Sequence, residues 1–128
     1  WPNDTKAASD GITITKHFLS RIKAKADQKS VTTVLAIFPS KQSVYLEKLR
    51  IMGIEPGVDF IRSVEAERRY VRGLSRFGAD TGYGIADVSS RLIEASRKGI
   101  KLYPADDDSH PTARGYAIYA RAVAENLP

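Results

Sequence analysis

The chain contains no cysteine, one methionine, one tryptophan and two histidines among 128 residues. Without cysteine there is no disulfide, no zinc–thiolate site and no thiol nucleophile, and nothing in the sequence records the redox character of a compartment. Two histidines as far apart as His17 and His110 form no metal-ligand spacing, and no cofactor is called for. No apolar run is long enough for a signal-peptide core or a membrane-spanning helix. The first residue is Trp1 rather than Met, which leads us to expect a cleaved or truncated product.

What remains is ordinary globular composition: 42% hydrophobic residues, 27% charged, nine Gly and six Pro. At 128 residues the chain reads as a single domain, residues 1–128, able to bury a core. Its net charge of +5 does not by itself make a nucleic-acid footprint, because the basic residues must share one face. They fall instead into three separate segments, around Lys16–Lys29, Arg62–Arg76 and Arg91–Lys98, each of which reads as a solvated helix face. No nucleic-acid partner is expected.

Periodicity divides the chain into alternating elements. Asp10 or Thr13 can cap a helix reaching about Asp27, with Ile14, Phe18, Leu19 and Ile22 as its core-facing stripe. Val31–Phe38 is a continuous apolar run, the pattern of a strand covered on both faces. Ser40 is placed to cap a helix carrying Tyr45, Leu46, Leu49 and Met52, which Gly53 stops. Val58–Ile61 reads as a short strand or a turn, and Ser63 as the cap of a helix running to a stop at Gly78. Gly82–Val88 reads as a strand, with Asp87 capping a helix that ends at Arg97, Lys98 and Gly99. Ile100–Tyr103 is apolar enough for a last strand. The final helix is expected after His110, with Ala113, Tyr116, Ala117, Ala120, Val123, Ala124 and Leu127 on its buried face. Alternation of this kind predicts an α/β domain in three layers with a mostly parallel sheet, whose sites lie at the carboxyl ends of strands.

The chemistry concentrates in the segment from Pro104 to Tyr116, where Asp106, Asp107, Asp108 and His110 share a loop between a predicted strand and a predicted helix. Pro111 suits a first helical position, which puts His110 at the cap, where the helix dipole disfavours imidazolium. Asp107 can turn back to a ring nitrogen, which favours imidazolium and fixes the tautomer. Together these opposing effects suit a general base. The plainer alternative is that the three aspartates cap the helix and His110 is an exposed turn residue.

The residues Asp107-Asp108-Ser109-His110-Pro111, followed by Gly115 and an alanine-rich helix, resemble the last block of the SGNH (GDSL-like) hydrolases. The resemblance is specific from about residue 103 to 120. It implies a flavodoxin-like or SGNH-hydrolase-like sheet incomplete at the N-terminus. It also implies an esterase or acyltransferase activity on a small-molecule or carbohydrate ester, with His110 as the base and Asp107 as the third triad member. It further suggests a bacterial periplasmic, envelope or secreted setting.

The family's Gly-Asp-Ser nucleophile block does not occur in these 128 residues, nor does Gly-x-Ser-x-Gly. The nucleophile is therefore expected upstream of Trp1, and the chain alone is expected to be inactive. Trp1-Pro2-Asn3-Asp4 shares only an Asn-Asp pair with the family's oxyanion block, which makes Asn3 a candidate donor. Ser40 is read as a helix cap and not as the nucleophile. The competing expectation is a non-catalytic α/β interaction domain whose basic helices meet an anionic partner.

Overall fold

The computed structural model describes residues 6–106 and 108–127. In chain order it contains α1 (Lys6–Asp27), β1 (Val34–Ala36), α2 (Lys41–Ile51), α3 (Val58–Asp80), β2 (Gly84–Ala86), α4 (Val88–Arg97) and α5 (Ala113–Ala124). The strands β1 and β2 are parallel, with Val34 opposite Gly84, Leu35 opposite Ile85 and Ala36 opposite Ala86.

This overturns the expected three-layer α/β sheet. Among the described residues there is one two-stranded sheet and five helices, so the fold is mostly helical. The two strands keep only the middle of their apolar runs. Val58–Ile61 is the opening of α3 and not a strand. Ile100–Tyr103 is not a strand either, because its backbone groups are satisfied elsewhere. The Tyr45 hydroxyl accepts from both the Leu102 and Tyr103 N–H groups at 3.2 Å, and the Leu102 carbonyl accepts from the Thr112 N–H at 2.8 Å. A segment whose donors and acceptors are already paired has no ladder left to offer.

The long helix α3 runs through Ile61 and Ser63, where two elements were expected, and continues to Asp80 because Gly78 is not a stop. It lies inside the helix, buried, where an added Cβ would come 2.7 Å from Leu35 Cδ2 and 2.9 Å from Ile85 Cδ1. Glycine is there to let the helix lie close against the sheet. The actual reversal follows at Gly82, whose φ of +86° is left-handed.

Side chains alternate along the strands as the pleat requires. Leu35 and Ile85 point toward α3, whereas Val34, Ala36 and Ala86 join the core made by Val44, Val88, Leu92, Ala95, Leu102, Tyr103 and Ala122. Two other expected faces are also corrected. Helix α1 begins earlier than Asp10, and its Ile14, Phe18 and Ile22 stripe is more than half exposed. The helix meets the body through its half-buried residues, Leu19 among them, whose carbonyl accepts the Tyr83 hydroxyl at 2.7 Å. In α5 the buried residues are Gly115 and Ala122, with Ile118, Tyr119 and Val123 half-buried, while Ala113, Tyr116, Ala117, Ala120 and Ala124, and Leu127 beyond the helix end, are exposed. An alanine-rich helix is apolar nearly all round, so periodicity does not choose its inner face. The contact at Gly115 does.

Candidate functional site

Ser40 and Asp87, at the carboxyl ends of β1 and β2, both cap helices as expected. Ser40 Oγ accepts from the Ser43 N–H at 3.1 Å, and Asp87 Oδ1 accepts from the Ser90 N–H at 3.1 Å. The Ser40 hydroxyl in turn donates to Glu67, whose other carboxylate oxygen accepts the Ser40 N–H at 2.7 Å. With its proton committed to Glu67 and its lone pair to a helix N-terminus, Ser40 is a structural joint between α2 and α3.

The Asp-rich loop leaves the core at Tyr103. That side chain is buried, and its hydroxyl pairs with Tyr119 of α5 at 2.8 Å and reaches the Pro39 carbonyl at 3.4 Å. Burial, and after it the Tyr119 hydrogen bond, push the Tyr103 hydroxyl far above the usual tyrosine range, so it stays protonated as a linker between the end of β1 and α5. Past Tyr103 the loop is organised by successive Asx turns. Asp106 Oδ1 accepts from the Asp108 N–H at 3.1 Å, and Asp108 Oδ1 accepts from the His110 N–H at 2.9 Å.

Asp108 Oδ1 also lies 2.7 Å from His110 Nδ1. A carboxylate can only accept here, so in the neutral ring Nδ1 carries the proton and the lone pair falls on Nε2. Both groups face solvent, with side-chain exposures of 81% for His110 and 49% for Asp108. The structure thus gives His110 an acidic partner two residues away. Asp107, the partner implied by the family resemblance, and Asn3, the candidate oxyanion donor, lie outside the described residues. The sequence signal for Asp108 was present in the same run of three aspartates, but one-dimensional spacing does not say which of them an Asx turn will select.

The expected helix start is also corrected. Thr112, not His110, caps α5: its Oγ1 accepts from the Gly115 N–H at 3.4 Å, and the helix opens at Ala113. His110 therefore stands two residues ahead of the cap, and its orientation comes from Asp108 and not from the helix dipole.

The His110 backbone N–H, and after it the imidazole, hold the Asp108 carboxyl below the ordinary aspartate value of 3.8. A lowered folded-state value means that the contribution of Asp108 to loop order is present above the ordinary aspartate range and is lost as pH falls through the lowered one. Carboxyl-carbon NMR titration of Asp108 is expected to give a midpoint below 3.8. His110→Ala should recover part of the shift and leave the rest, because the larger contributor is a backbone group.

Ser109 and Pro111, which flank His110, line a groove of about 730 Å³ together with Phe38, Tyr116, Tyr119 and Leu127. Phe38 stacks on Tyr119 with ring centroids 4.6 Å apart, and Tyr116 meets Tyr119 edge-on at 5.9 Å. The exposed face of α5, expected in the core, is the floor of this groove.

Tyr83 packs beneath α1, and His17 is exposed beside Phe18. Among the described residues no three His, Asp or Glu side chains come together as a metal site, and no helix is long and apolar enough to cross a membrane. No family model, curated protein or solved structure matches the chain.

Proposed function

We propose that the chain supplies the general-base half of an SGNH-type ester hydrolase or acyltransferase acting on a small-molecule or carbohydrate ester. The observation that carries this reading is the 2.7 Å contact between His110 Nδ1 and Asp108 Oδ1 beside an apolar groove. With Asp108 on Nδ1, the lone pair of Nε2 takes the proton of a serine hydroxyl, and the carboxylate stabilises the imidazolium that forms. The serine attacks the ester carbonyl, the tetrahedral intermediate collapses, and His110 returns its proton to the departing alkoxide. Water or an acceptor hydroxyl then resolves the acyl-enzyme by the same proton route. The groove offers Phe38, Tyr116 and Leu127 to the apolar part of the ester, which suits ligand sites that are mostly apolar with a few placed polar groups. In this reading Asp108 is the acid of the triad.

The nucleophile is proposed to lie upstream of Trp1. Determining the coding sequence there, and assaying both the extended protein and residues 1–128 on a short-chain aryl ester, tests the reading. A Gly-Asp-Ser segment after an apolar strand, with hydrolysis by the extended protein and none by the 128 residues, is the expected result. Hydrolysis by the 128 residues alone, abolished by His110→Ala, would place a nucleophile within them. An extended protein with no such segment and no hydrolysis would favour the interaction-domain alternative.

A further inference from the structure

Lys41 is the first residue of α2, an unfavourable place for a cation because the helix dipole presents its positive end there. Its ammonium group has another engagement. Nζ donates to the carbonyl oxygens of Pro104 at 2.8 Å, Asp106 at 2.7 Å and Asp108 at 3.4 Å. An ammonium has three donors and no acceptor, so three carbonyls converging from one loop use its whole capacity. The two closer contacts are within ordinary hydrogen-bond length and the third is long. The lysine acts as an internal cation around which the acidic loop folds.

This arrangement links Lys41 to His110 in two steps. Lys41 fixes the backbone of Asp106 and Asp108; Asp106 Oδ1 holds the Asp108 N–H, and Asp108 Oδ1 holds both the His110 N–H and its ring. Lys41 itself follows Ser40, which is tied to Glu67 of α3, so the loop is referenced through one side chain to the α2–α3 joint. Few other side chains could do this. A neutral side chain would lack the three donors, and a carboxylate would repel the aspartates.

We propose that Lys41 is a positioning residue for the Asp108–His110 pair, holding the Asp-rich loop so that the carboxylate meets Nδ1. Its functional meaning rests on His110 being the base of the site, whereas its geometric content does not.

The test is the tautomer of the His110 ring, read from nitrogen-15 correlations on the 128-residue chain at about pH 9, where an ordinary imidazole is neutral. In the unsubstituted protein the Nδ1–H form is expected to dominate. Lys41→Met keeps the aliphatic stem and removes the donors, and the ring is expected to lose this preference and revert to the mixture of free histidine, in which Nε2–H predominates. Lys41→Arg, which restores donors, is expected to keep the Nδ1–H form. The methyl signals of Leu102 and Ala122 report on the core and are expected to be unchanged in both variants.

A merely structural role would move the core signals and leave the tautomer with Asp108. An unchanged Nδ1–H preference in Lys41→Met overturns the inference. If Lys41→Met disturbs the core as well, Lys41→Arg decides: retention of Nδ1–H supports the proposal and its loss rejects it. Failure of the His110 reading has a different signature, namely an unsubstituted protein that lacks the Nδ1–H form from the outset, which rejects both.

Discussion

Gly115→Ala is expected to destabilise the protein by about 1–3 kcal/mol, the usual range for overpacking a filled site. Elsewhere in a helix the same change gains about 1 kcal/mol, since alanine is the better helix former. The sign reverses at this position because the added Cβ would sit 2.8 Å from the Leu102 carbonyl oxygen and 2.7 Å from Pro111 Cβ. Neither obstacle is the free end of a flexible side chain. The carbonyl is held by the Thr112 N–H at 2.8 Å, and the proline ring is part of the connection from His110 to the cap of α5. Relief requires α5 to move off the backbone at Leu102, a fully buried residue of the core.

Urea denaturation should show a lower midpoint with an unchanged slope. Gly73→Ala is the control, since a Cβ there meets nothing within 4 Å and should stabilise by a few tenths to 1 kcal/mol. Equal midpoints for the two variants would show that α5 does not rest on Leu102.

The second large effect is on activity. In a protein that contains the serine, His110→Ala is expected to lower kcat/KM by roughly 10⁶-fold, because the nucleophile loses its general base. Asp108→Asn should cost less, roughly the 10⁴-fold seen when the acid of a triad becomes an amide. The asparagine side chain can keep the turn that its oxygen makes with the His110 N–H, but it carries no charge to stabilise imidazolium. It can also present its amide to the ring and so favour the wrong tautomer. Parallel assays of the two variants on the same aryl ester check both values. An Asp108→Asn variant as active as the unsubstituted enzyme would remove Asp108 from the mechanism.

Local signals are legible where one residue decides the structure. Ser40 and Asp87 cap α2 and α4, as a short polar side chain ahead of an apolar helix should, and Gly53 and Gly99 take the left-handed conformations that follow those helices. Tertiary choices were less legible. The sequence pattern at Ile100–Tyr103 is that of a strand, but the Tyr45 hydroxyl and Thr112 occupy its backbone groups, and no local pattern reveals a partner 57 residues away. Gly78 reads as a stop until its contacts with Leu35 and Ile85 are seen. The Ile14, Phe18 and Ile22 stripe has helical spacing, which establishes the helix and not what covers it.

In the candidate site, the proximity of Asp106, Asp108 and His110 was legible from their spacing in the sequence. The identity of the carboxylate on the ring was not, because the Asx turn at Asp108 and the reach of Lys41 from α2 are matters of backbone geometry.

The central claim is that Asp108 fixes the His110 ring with its proton on Nδ1 and its lone pair on Nε2. The direct measurement is the nitrogen-15 spectrum of that ring at about pH 9 in the unsubstituted chain and in Asp108→Ala. A dominant Nδ1–H form that is lost in Asp108→Ala is expected. A ring that is mainly Nε2–H, as the side chain of free histidine in water is, and indifferent to Asp108→Ala would refute that role.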